Sequence, residues 1–394
     1  MSGGNYDLIV VGAGLAGLWA AVHALEDAPS ARVVVLEASD RVGGRVATHW
    51  EAVPGKGRYQ WEAGAGRIPV HHRRVIGLIK KYGLTFRRWG PSPLPGFSEL
   101  VDVYLRPLEA LGTRLLGRRT LSEVMREVYG AKAIALARRF PYWAEFETLR
   151  ADCALEALLR GALAPGVIYG GCVEGLSVLV ERMAADVRER GGDIRMGTAV
   201  SGVCPLQEGV EVETASGVLR GKRVVVAIPA HAMRRVEGLK GLGFLRRLGS
   251  EPLMRVYAVF PTHGGGAWFS AEDRRVVADG VRFFIPMDAK RGLAMISYTE
   301  GRDTRRWMRM EEAERTRAIL AELRELFDRE IPDPLVVRYH YWEHGCTYWL
   351  PGDYDVRAVQ KEARHPLPGL YVCGESVALE QAWMEGAVAP SPPS

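Results

Sequence analysis

The glycine-rich segment GAGLAG at residues 12–17 constrains the fold of this 394-residue chain more than any other feature. It comes directly after a short apolar run, Tyr6–Val11, and directly before an alanine-rich helical pattern at residues 15–25. A second apolar run at residues 32–37 completes a strand–turn–helix–strand unit. In GxGxxG the first glycine permits a tight turn, the second lets the backbone approach a pyrophosphate, and the third lets helix and strand pack closely. The sequence therefore predicts an α/β chain with a Rossmann-like dinucleotide-binding fold.

Two features that follow the second strand favour FAD among the dinucleotides. Glu37 stands at the end of that strand, where a carboxylate can accept hydrogen bonds from both ribose hydroxyls. The paired glycines Gly43 and Gly44 and then Arg45 follow, and they allow a close backbone approach together with a charge-assisted contact to a phosphate. Because nicotinamide enzymes do not generally need this second cluster, we expect FAD.

The pattern along the rest of the chain predicts two further units. Residues 75–163 are mostly helical in pattern, whereas strand patterns return at residues 224–229 and 370–374. We expect three domains: an FAD-binding domain at residues 1–70, 170–236 and 366–394, a mixed-sheet substrate-binding domain at residues 71–84 and 237–365, and a helical insertion at residues 85–169.

Composition excludes several classes of partner. The net charge of +5 is small, and lysine and arginine are spread along the chain, which gives no case for nucleic-acid binding. Five cysteines without a CxxC pair predict neither a disulfide framework nor a metal site. No apolar run approaches the roughly 20 residues that a membrane span needs, and no secretory pattern precedes residue 6. We expect a cytoplasmic protein that acts on a small molecule, with a homodimer left open.

Four further segments, together with the motifs above, resemble the flavin amine oxidase family, which includes monoamine, polyamine and L-amino acid oxidases. The segments are LEA at residues 36–38, EAGAGRIP at 62–69, YVCGE at 371–375 and WMEGAV at 383–388. The EAGAGRIP segment is most similar to L-amino acid oxidases. The resemblance implies oxidation of the CH–NH₂ group of an amine or L-amino acid by hydride transfer to flavin N5, giving an imine and then hydrogen peroxide.

The resemblance also implies which residues contact FAD. Val200 would hold the adenine edge through its backbone, and the helix that begins near Met384 would direct its N-terminus at the flavin pyrimidine ring. The full set is Gly12, Gly14, Leu15, Ala16, Gly17, Glu37, Ala38, Gly44, Arg45, Gly64, Ala65, Gly66, Arg67, Val200, Gly374, Glu375, Trp383, Met384 and Ala387.

The substrate would lie in an aromatic slot beside the flavin. Arg67 matches the arginine that binds the substrate carboxylate in L-amino acid oxidases, and a planar guanidinium suits this because it pairs with a carboxylate bidentately. The alternative is that Arg67 contacts only flavin or backbone. Trp383, next to Ala382, would form one wall, and Tyr348 and Trp349 the opposite wall. The alternative is that both tryptophans are core residues.

Three departures from the family pattern weaken the oxidase assignment. Arg255 replaces the lysine linked to oxygen activation, and an arginine cannot deprotonate to act as a base. The tyrosine that helps to hold the carboxylate is replaced near residues 284–286, and prolines from residue 390 cut the last helix short. Two alternatives stay open: a flavin dehydrogenase or desaturase with another electron acceptor, and an FAD-binding scaffold whose catalysis has decayed.

Cys346 leaves the mode of flavin attachment open. Monoamine oxidases attach FAD through a cysteine in a Gly-Cys context, and Gly345-Cys346 has that context. The spacing after the cysteine is one residue shorter here. We therefore expect noncovalent FAD, with a covalent link through Cys346 as the alternative.

Overall fold

The computed structural model describes residues 6–90 and 94–389. The strands, in chain order, are β1 (Tyr6–Val11), β2 (Val33–Leu36), β3 (Thr48–Val53), β4 (Gly57–Glu62), β5 (Ile68–Pro69), β6 (Phe86–Arg88), β7 (Tyr169–Cys172), β8 (Asp193–Arg195), β9 (Val200–Pro205), β10 (Val210–Thr214), β11 (Gly217–Val226), β12 (Leu248–Val259), β13 (Arg275–Val276), β14 (Phe283–Asp288), β15 (Leu293–Glu300), β16 (Val336–Trp349) and β17 (Leu370–Val372).

Short helices connect many of these strands. The α-helices are α1 (Leu15–Asp27), α2 (Arg73–Lys81), α3 (Phe97–Leu100), α4 (Thr113–Leu116), α5 (Leu121–Tyr129), α6 (Ala131–Ala137), α7 (Trp143–Glu147), α8 (Ala151–Leu159), α9 (Leu176–Glu189), α10 (Ala230–Met233), α11 (Gly301–Met308), α12 (Glu312–Phe327), α13 (Val356–Arg364) and α14 (Met384–Ala387). A π-helical turn lies at Val101–Leu105, and 3₁₀ turns lie at Arg106–Leu111, Gly243–Arg247 and Glu375–Val377.

The larger sheet has the strand order β8-β2-β1-β11-β10-β9, and β17 pairs with β11 beside β10. The strands β8, β2, β1, β11 and β17 are parallel, and β1 is buried between β2 and β11. Because β1 and β2 run in the same direction, Gly12 and Glu37 emerge at the same edge of the sheet. The predicted Rossmann-like α/β fold is confirmed.

A second sheet is antiparallel, with the order β13-β14-β15-β12-β16. Arg255 of β12 lies opposite Tyr298 of β15 in the register, so the two side chains share one face of the sheet. The other face is covered by α12, whose Ile319 and Leu323 are fully buried in the sheet's own core. This sheet positions the side chains at one end of the site described below.

The segment from α3 to α8 forms the predicted helical region, and its apolar side chains join one continuous core with those of the larger sheet. The boundaries of the three domains stay a prediction. The last helix, α14, covers one turn, while the prolines expected to end it lie outside the described residues. None of the helices in residues 6–90 and 94–389 has both the length and the apolar character to cross a bilayer.

Candidate active site

One elongated cavity of about 650 Å³ runs between the larger sheet and the antiparallel sheet. This volume lies within the range of typical ligand pockets. Its dinucleotide end is formed by the glycine turn at residues 12–16 and by Glu37. Its aromatic end is formed by Tyr142, Trp143, Tyr298 and Trp383.

The dinucleotide end has the close packing that the glycine motif predicts. Gly12 has a φ of 104°, and a β-carbon there would come within 2.9 Å of the carbonyl oxygen of Ala227. A β-carbon on Gly17 would collide with the carbonyl oxygen of Gly12, so the start of α1 packs directly on the turn. Within residues 6–90 and 94–389 no side chain caps the N-terminus of α1 at Gly14, so its first N–H groups can bind an anion.

Glu37 is held firmly at the same end. Its Oε2 accepts a hydrogen bond of 2.8 Å from the N–H of Ala13, and its Oε1 accepts bonds from the N–H and the hydroxyl of Ser39 at 2.9 and 2.8 Å. A carboxylate offers about four acceptor sites, and three are used here, so Oε2 keeps one site. The carboxylate is therefore oriented and still able to accept a bond from a ribose hydroxyl, which fits a dinucleotide.

Arg45 is tied to the C-terminal motif. Its Nη1 donates to Oε1 of Glu375 at 2.6 Å and to the carbonyl oxygen of Gly345 at 3.1 Å. Glu375 also accepts from Thr347 Oγ1 at 3.0 Å and from the N–H of Ala382 at 3.0 Å. The two charges of this cluster are paired within the protein, because Arg45 and Glu375 form an ion pair at the cavity wall.

Most of the residues expected at the cofactor line the cavity. Gly17 and Val200 do not line it: Gly17 packs against the turn, and Val200 begins β9 and packs on the core. The expected residues that line the cavity are Gly12, Gly14, Leu15, Ala16, Glu37, Ala38, Gly44, Arg45, Gly64, Ala65, Gly66, Arg67, Gly374, Glu375, Trp383, Met384 and Ala387. Tyr348, Ala382, Arg255 and Cys346 line it as well.

The wall role expected for Trp349 is wrong. Trp349 is fully buried away from the cavity, and its Nε1 donates to the carbonyl oxygen of Ala378 at 3.0 Å. Tyr348 precedes it on β16 and faces the cavity. Because successive residues of a strand point to opposite faces, both side chains could not line one wall.

Arg67 lies at the aromatic end inside a cage of rings. Its guanidinium carbon is 5.3 Å from the centre of the Tyr169 ring, 5.6 Å from that of Tyr298 and 5.9 Å from the indole of Trp383. Its side chain makes no hydrogen bond or ion pair with any of the described residues. The result is a positive charge that borders the cavity and lacks a counter-ion among the residues that the structure describes.

Trp383 is held in place from outside the cavity. His72 is buried and meets the indole edge-on at 5.5 Å, and its Nε2 lies 2.8 Å from Oε1 of Glu380. His71, His72 and Glu380 bring three potential metal-binding atoms within 4.8 Å of one another. That no metal binds here stays a prediction. The contact that the structure shows is the one between His72 and Trp383, which orients the indole.

Arg255, which is expected at the position of the family's lysine, lines the cavity. It is buried, its guanidinium lies 4.8 Å from the centre of the Tyr298 ring, and its Nη1 donates to the carbonyl oxygen of Glu62 at 3.2 Å. Its Nε has no partner in the described part of the chain. None of the described residues that line the cavity is a lysine, and Lys290 is exposed in the turn after β14.

Sequence reasoning missed the polar residues that line the aromatic end. Tyr298 and Tyr142 supply hydroxyl groups there, although residues 284–286 carry no tyrosine. Glu145 of α7 and Glu300 of β15 also line the cavity. Burial raises the pKa of both carboxyl groups, and the nearby charge of Glu300 raises that of Glu145 further. No local pattern marks these residues, since they come from separate elements.

Cys346 borders the cavity next to the Arg45–Glu375 pair. Burial raises the pKa of its thiol to about 12, and the neighbouring carboxylates Glu375 and Glu300 add to this effect. A thiol with such a pKa remains protonated at neutral pH, whereas the thiolate is the nucleophilic form.

Comparison with known proteins identifies the family. The family model described as flavin-containing amine oxidoreductase matches residues 15–105 and 105–389. A flavin-dependent L-tryptophan oxidase from Lentzea aerocolonigenes is 27% identical, and the match covers 98% of this chain and 97% of that protein. An L-amino-acid oxidase from Echis ocellatus is 50% identical over 80 residues, which is 20% of this chain and 14% of that protein.

Solved structures of amine oxidases have the same fold. Putrescine oxidase bound to putrescine superposes with a TM-score of 0.77 at 18% identity, over 98% of this chain and 96% of the other. Cyclohexylamine oxidase from Brevibacterium oxydans IH-35A gives a TM-score of 0.75 at 20% identity with the same coverage. The chain therefore belongs to the flavin-containing amine oxidoreductase family.

Proposed function

We propose that the protein is an FAD-dependent L-amino acid oxidase. The overall reaction would convert an L-amino acid, dioxygen and water into a 2-oxo acid, ammonia and hydrogen peroxide. FAD bound along the cavity would supply the two-electron acceptor for the hydride that leaves the α-carbon. The residues of the chain would bind the substrate, orient it and exclude water.

The guanidinium of Arg67 is the observation that carries this proposal. It borders the cavity and has no counter-ion among the described residues, and a buried charge is costly until it is paired. A substrate carboxylate would provide that pair, with a bidentate geometry that fixes the α-carbon. The alternative, in which Arg67 contacts only flavin or backbone, would leave its charge without a counter-ion.

The walls of the aromatic end fit the rest of an amino acid. Trp383 and Tyr298 flank Arg67, so the α-amino group would lie between aromatic surfaces. Removing an ammonium ion from water into such surroundings is costly, which favours the neutral amine that can lose a hydride. The likeness to an L-tryptophan oxidase along almost the whole chain also supports an amino acid as substrate.

Anaerobic mixing of the holoprotein with each proteinogenic L-amino acid tests the proposal. We expect the visible flavin absorption to bleach with at least one of them, and ammonia and peroxide to form in equal amounts once air is admitted. Bleaching by amines alone would instead indicate an amine oxidase. A flavin that no amine or amino acid reduces would support a decayed scaffold.

A dehydrogenase with another electron acceptor is the second candidate, and Arg255 is the observation that favours it. A permanently charged guanidinium is expected in place of the family's lysine, and no lysine lines the cavity in the described residues. After anaerobic reduction, slow reoxidation in air together with rapid reoxidation by an artificial quinone would support this candidate. Rapid formation of peroxide in air would reject it.

A further inference from the structure

We infer that Glu145 and Glu300 form a subsite for the positively charged side chain of a basic L-amino acid, such as lysine, ornithine or arginine. This inference rests on the proposed function, because Arg67 would hold the carboxylate of the same substrate. The inference adds the chemical class of the substrate's side chain, which neither Arg67 nor the flavin site specifies.

The two carboxyl groups meet at the aromatic end because α7 packs against the end of β15. Oε1 of Glu300 accepts a hydrogen bond of 2.9 Å from the N–H of Ala144, which anchors the start of α7. Glu145 is the next residue of that helix, and it is only 8% exposed. Its side chain makes no hydrogen bond with any other described residue, and it borders the cavity. A buried carboxyl group that no other described residue binds thus borders the space that the substrate would fill.

The neighbouring charges do not neutralise this pair. Arg282 borders the cavity, but its Nε donates to Asp303 at 2.6 Å and its Nη1 to two backbone carbonyl oxygens. Glu251, the other nearby acid, is held by Arg305 at 2.6 Å. Each of these groups already has a partner, so no described cation is bonded to the acid pair. Burial raises the pKa of Glu145 to about 8 and that of Glu300 to about 7, and a cation bound beside them would lower both values and favour the charged carboxylates.

Arg67 and the acid pair are close enough to interact but are not bonded. The charge of Arg67 lowers the pKa of both Glu145 and Glu300 against the effect of burial, yet no ion pair within 4.0 Å joins them. The guanidinium of Arg67 and two carboxyl groups that a bound cation would ionise therefore face one cavity across a gap. A molecule that carries a carboxylate at one end and a cation at the other would bridge that gap.

Aromatic rings complete the subsite. Tyr142 and Trp143 of the aromatic end stand beside Glu145 in the chain, and Tyr348 lines the same cavity. The faces of such rings attract cations and cover the methylene groups of a long side chain. Beside a neutral side chain the acid pair would stay protonated and make no charge-assisted bond, and this lost interaction sets the expected specificity.

The wild-type holoenzyme tests the inference with matched substrates. L-lysine and L-norleucine have the same chain length and differ in the terminal ammonium. We expect kcat/KM from anaerobic and steady-state assays to be at least 10-fold higher for L-lysine, because bonds to charged groups have about this effect. Equal or better use of L-norleucine would overturn the inference and leave the proposed function standing. Bleaching by no amino acid at all would overturn both.

Variants then assign the effect to the two carboxyl groups. Glu145→Gln and Glu300→Gln keep the size of the side chain, and each should lower kcat/KM for L-lysine by about 10- to 100-fold while changing that for L-norleucine by less than about twofold. Glu147→Gln is the matched control, since Glu147 is on the same helix, pairs with Arg138 and does not line the cavity. An equal loss for both substrates would contradict the subsite. Faster oxidation of cadaverine than of L-lysine would show that the carboxylate is not used, and would overturn the assignment to amino acids.

Discussion

Nη1 of Arg45 lies 2.6 Å from Oε1 of Glu375, and this bond joins residues 330 positions apart in the chain. Arg45 ends the first flavin motif, and Glu375 ends the last strand motif before the C-terminus. The pair therefore links both ends of the chain at the cavity wall. Since Glu375 also accepts the N–H of Ala382, the same bond fixes the segment that carries Trp383.

Breaking the Arg45–Glu375 pair should weaken both the fold and flavin binding. Glu375→Gln leaves the arginine charge without a partner, and we expect the free energy of unfolding to fall by about 1–3 kcal/mol. Urea unfolding of Glu375→Gln, Arg45→Gln and the double variant would measure the coupling. If the loss of free energy of unfolding in the double variant equals the sum of the losses in the two single variants, a direct pair is contradicted.

Substitution by alanine should have opposite effects on the free energy of unfolding at Gly17 and at Gly77. Gly17→Ala places a β-carbon against the carbonyl oxygen of Gly12, so we expect a loss of about 1–3 kcal/mol in the free energy of unfolding and weaker flavin retention. Gly77 is exposed within α2 and has no atom within 4 Å of a built β-carbon. Gly77→Ala should stabilise the protein by about 0.5–1 kcal/mol. Thermal and urea unfolding would measure both variants. Equal changes in the free energy of unfolding for Gly17→Ala and Gly77→Ala would contradict the predicted close approach at Gly17.

Glu62 should make the stability of the protein depend on pH. Burial raises the pKa of its carboxyl group to about 7, although the N–H of Leu176 and the hydroxyl of Thr48 partly oppose this. Between pH 4.5 and 7 the folded state keeps the proton that the unfolded chain releases, so the free energy of unfolding falls as pH rises. The total fall should be of the order of 2–3 kcal/mol. The Glu62→Gln variant should lose this component, and an unchanged pH profile in that variant would contradict the assignment.

We expect that Cys346 forms no covalent bond with the flavin. Its thiol is protonated at neutral pH, and the thiolate is the form that reacts. Mass spectrometry of acid-precipitated protein should give the mass of the chain alone, with FAD in the supernatant. A mass increment equal to FAD in the wild type that disappears in Cys346→Ala would establish a covalent link instead.

Local pattern was enough to predict the larger sheet and its glycine turn. The signals of residues 6–37 depend on neighbours in sequence, because the turn, the free helix N-terminus and Glu37 all belong to one continuous unit. The position of Arg67 was predicted through the family motif. That Arg67 has no hydrogen-bonding or ion-pair partner among the described residues was not predicted, since this depends on which side chains the rest of the fold brings near it.

The aromatic end could not be predicted in the same way. Glu145 and Glu300 are separated by 155 positions and meet only because α7 packs on β15. Tyr298 lies beside Arg255 through the register of β12 with β15, which the sequence does not state. The error at Trp349 was avoidable, because strand alternation places it opposite to Tyr348.

The proposed pairing of Arg67 with the substrate carboxylate can be tested most directly. Anaerobic flavin reduction should be measured for the best L-amino acid, for its D-isomer and for the amine that lacks the carboxylate. The measurement should use the wild type, Arg67→Lys and the exposed control Arg73→Lys. We predict fast bleaching by the L-isomer alone, lowered about 10- to 150-fold in apparent second-order rate constant by Arg67→Lys and unchanged by Arg73→Lys. Equal bleaching by the amine, or no effect of Arg67→Lys, would contradict the account.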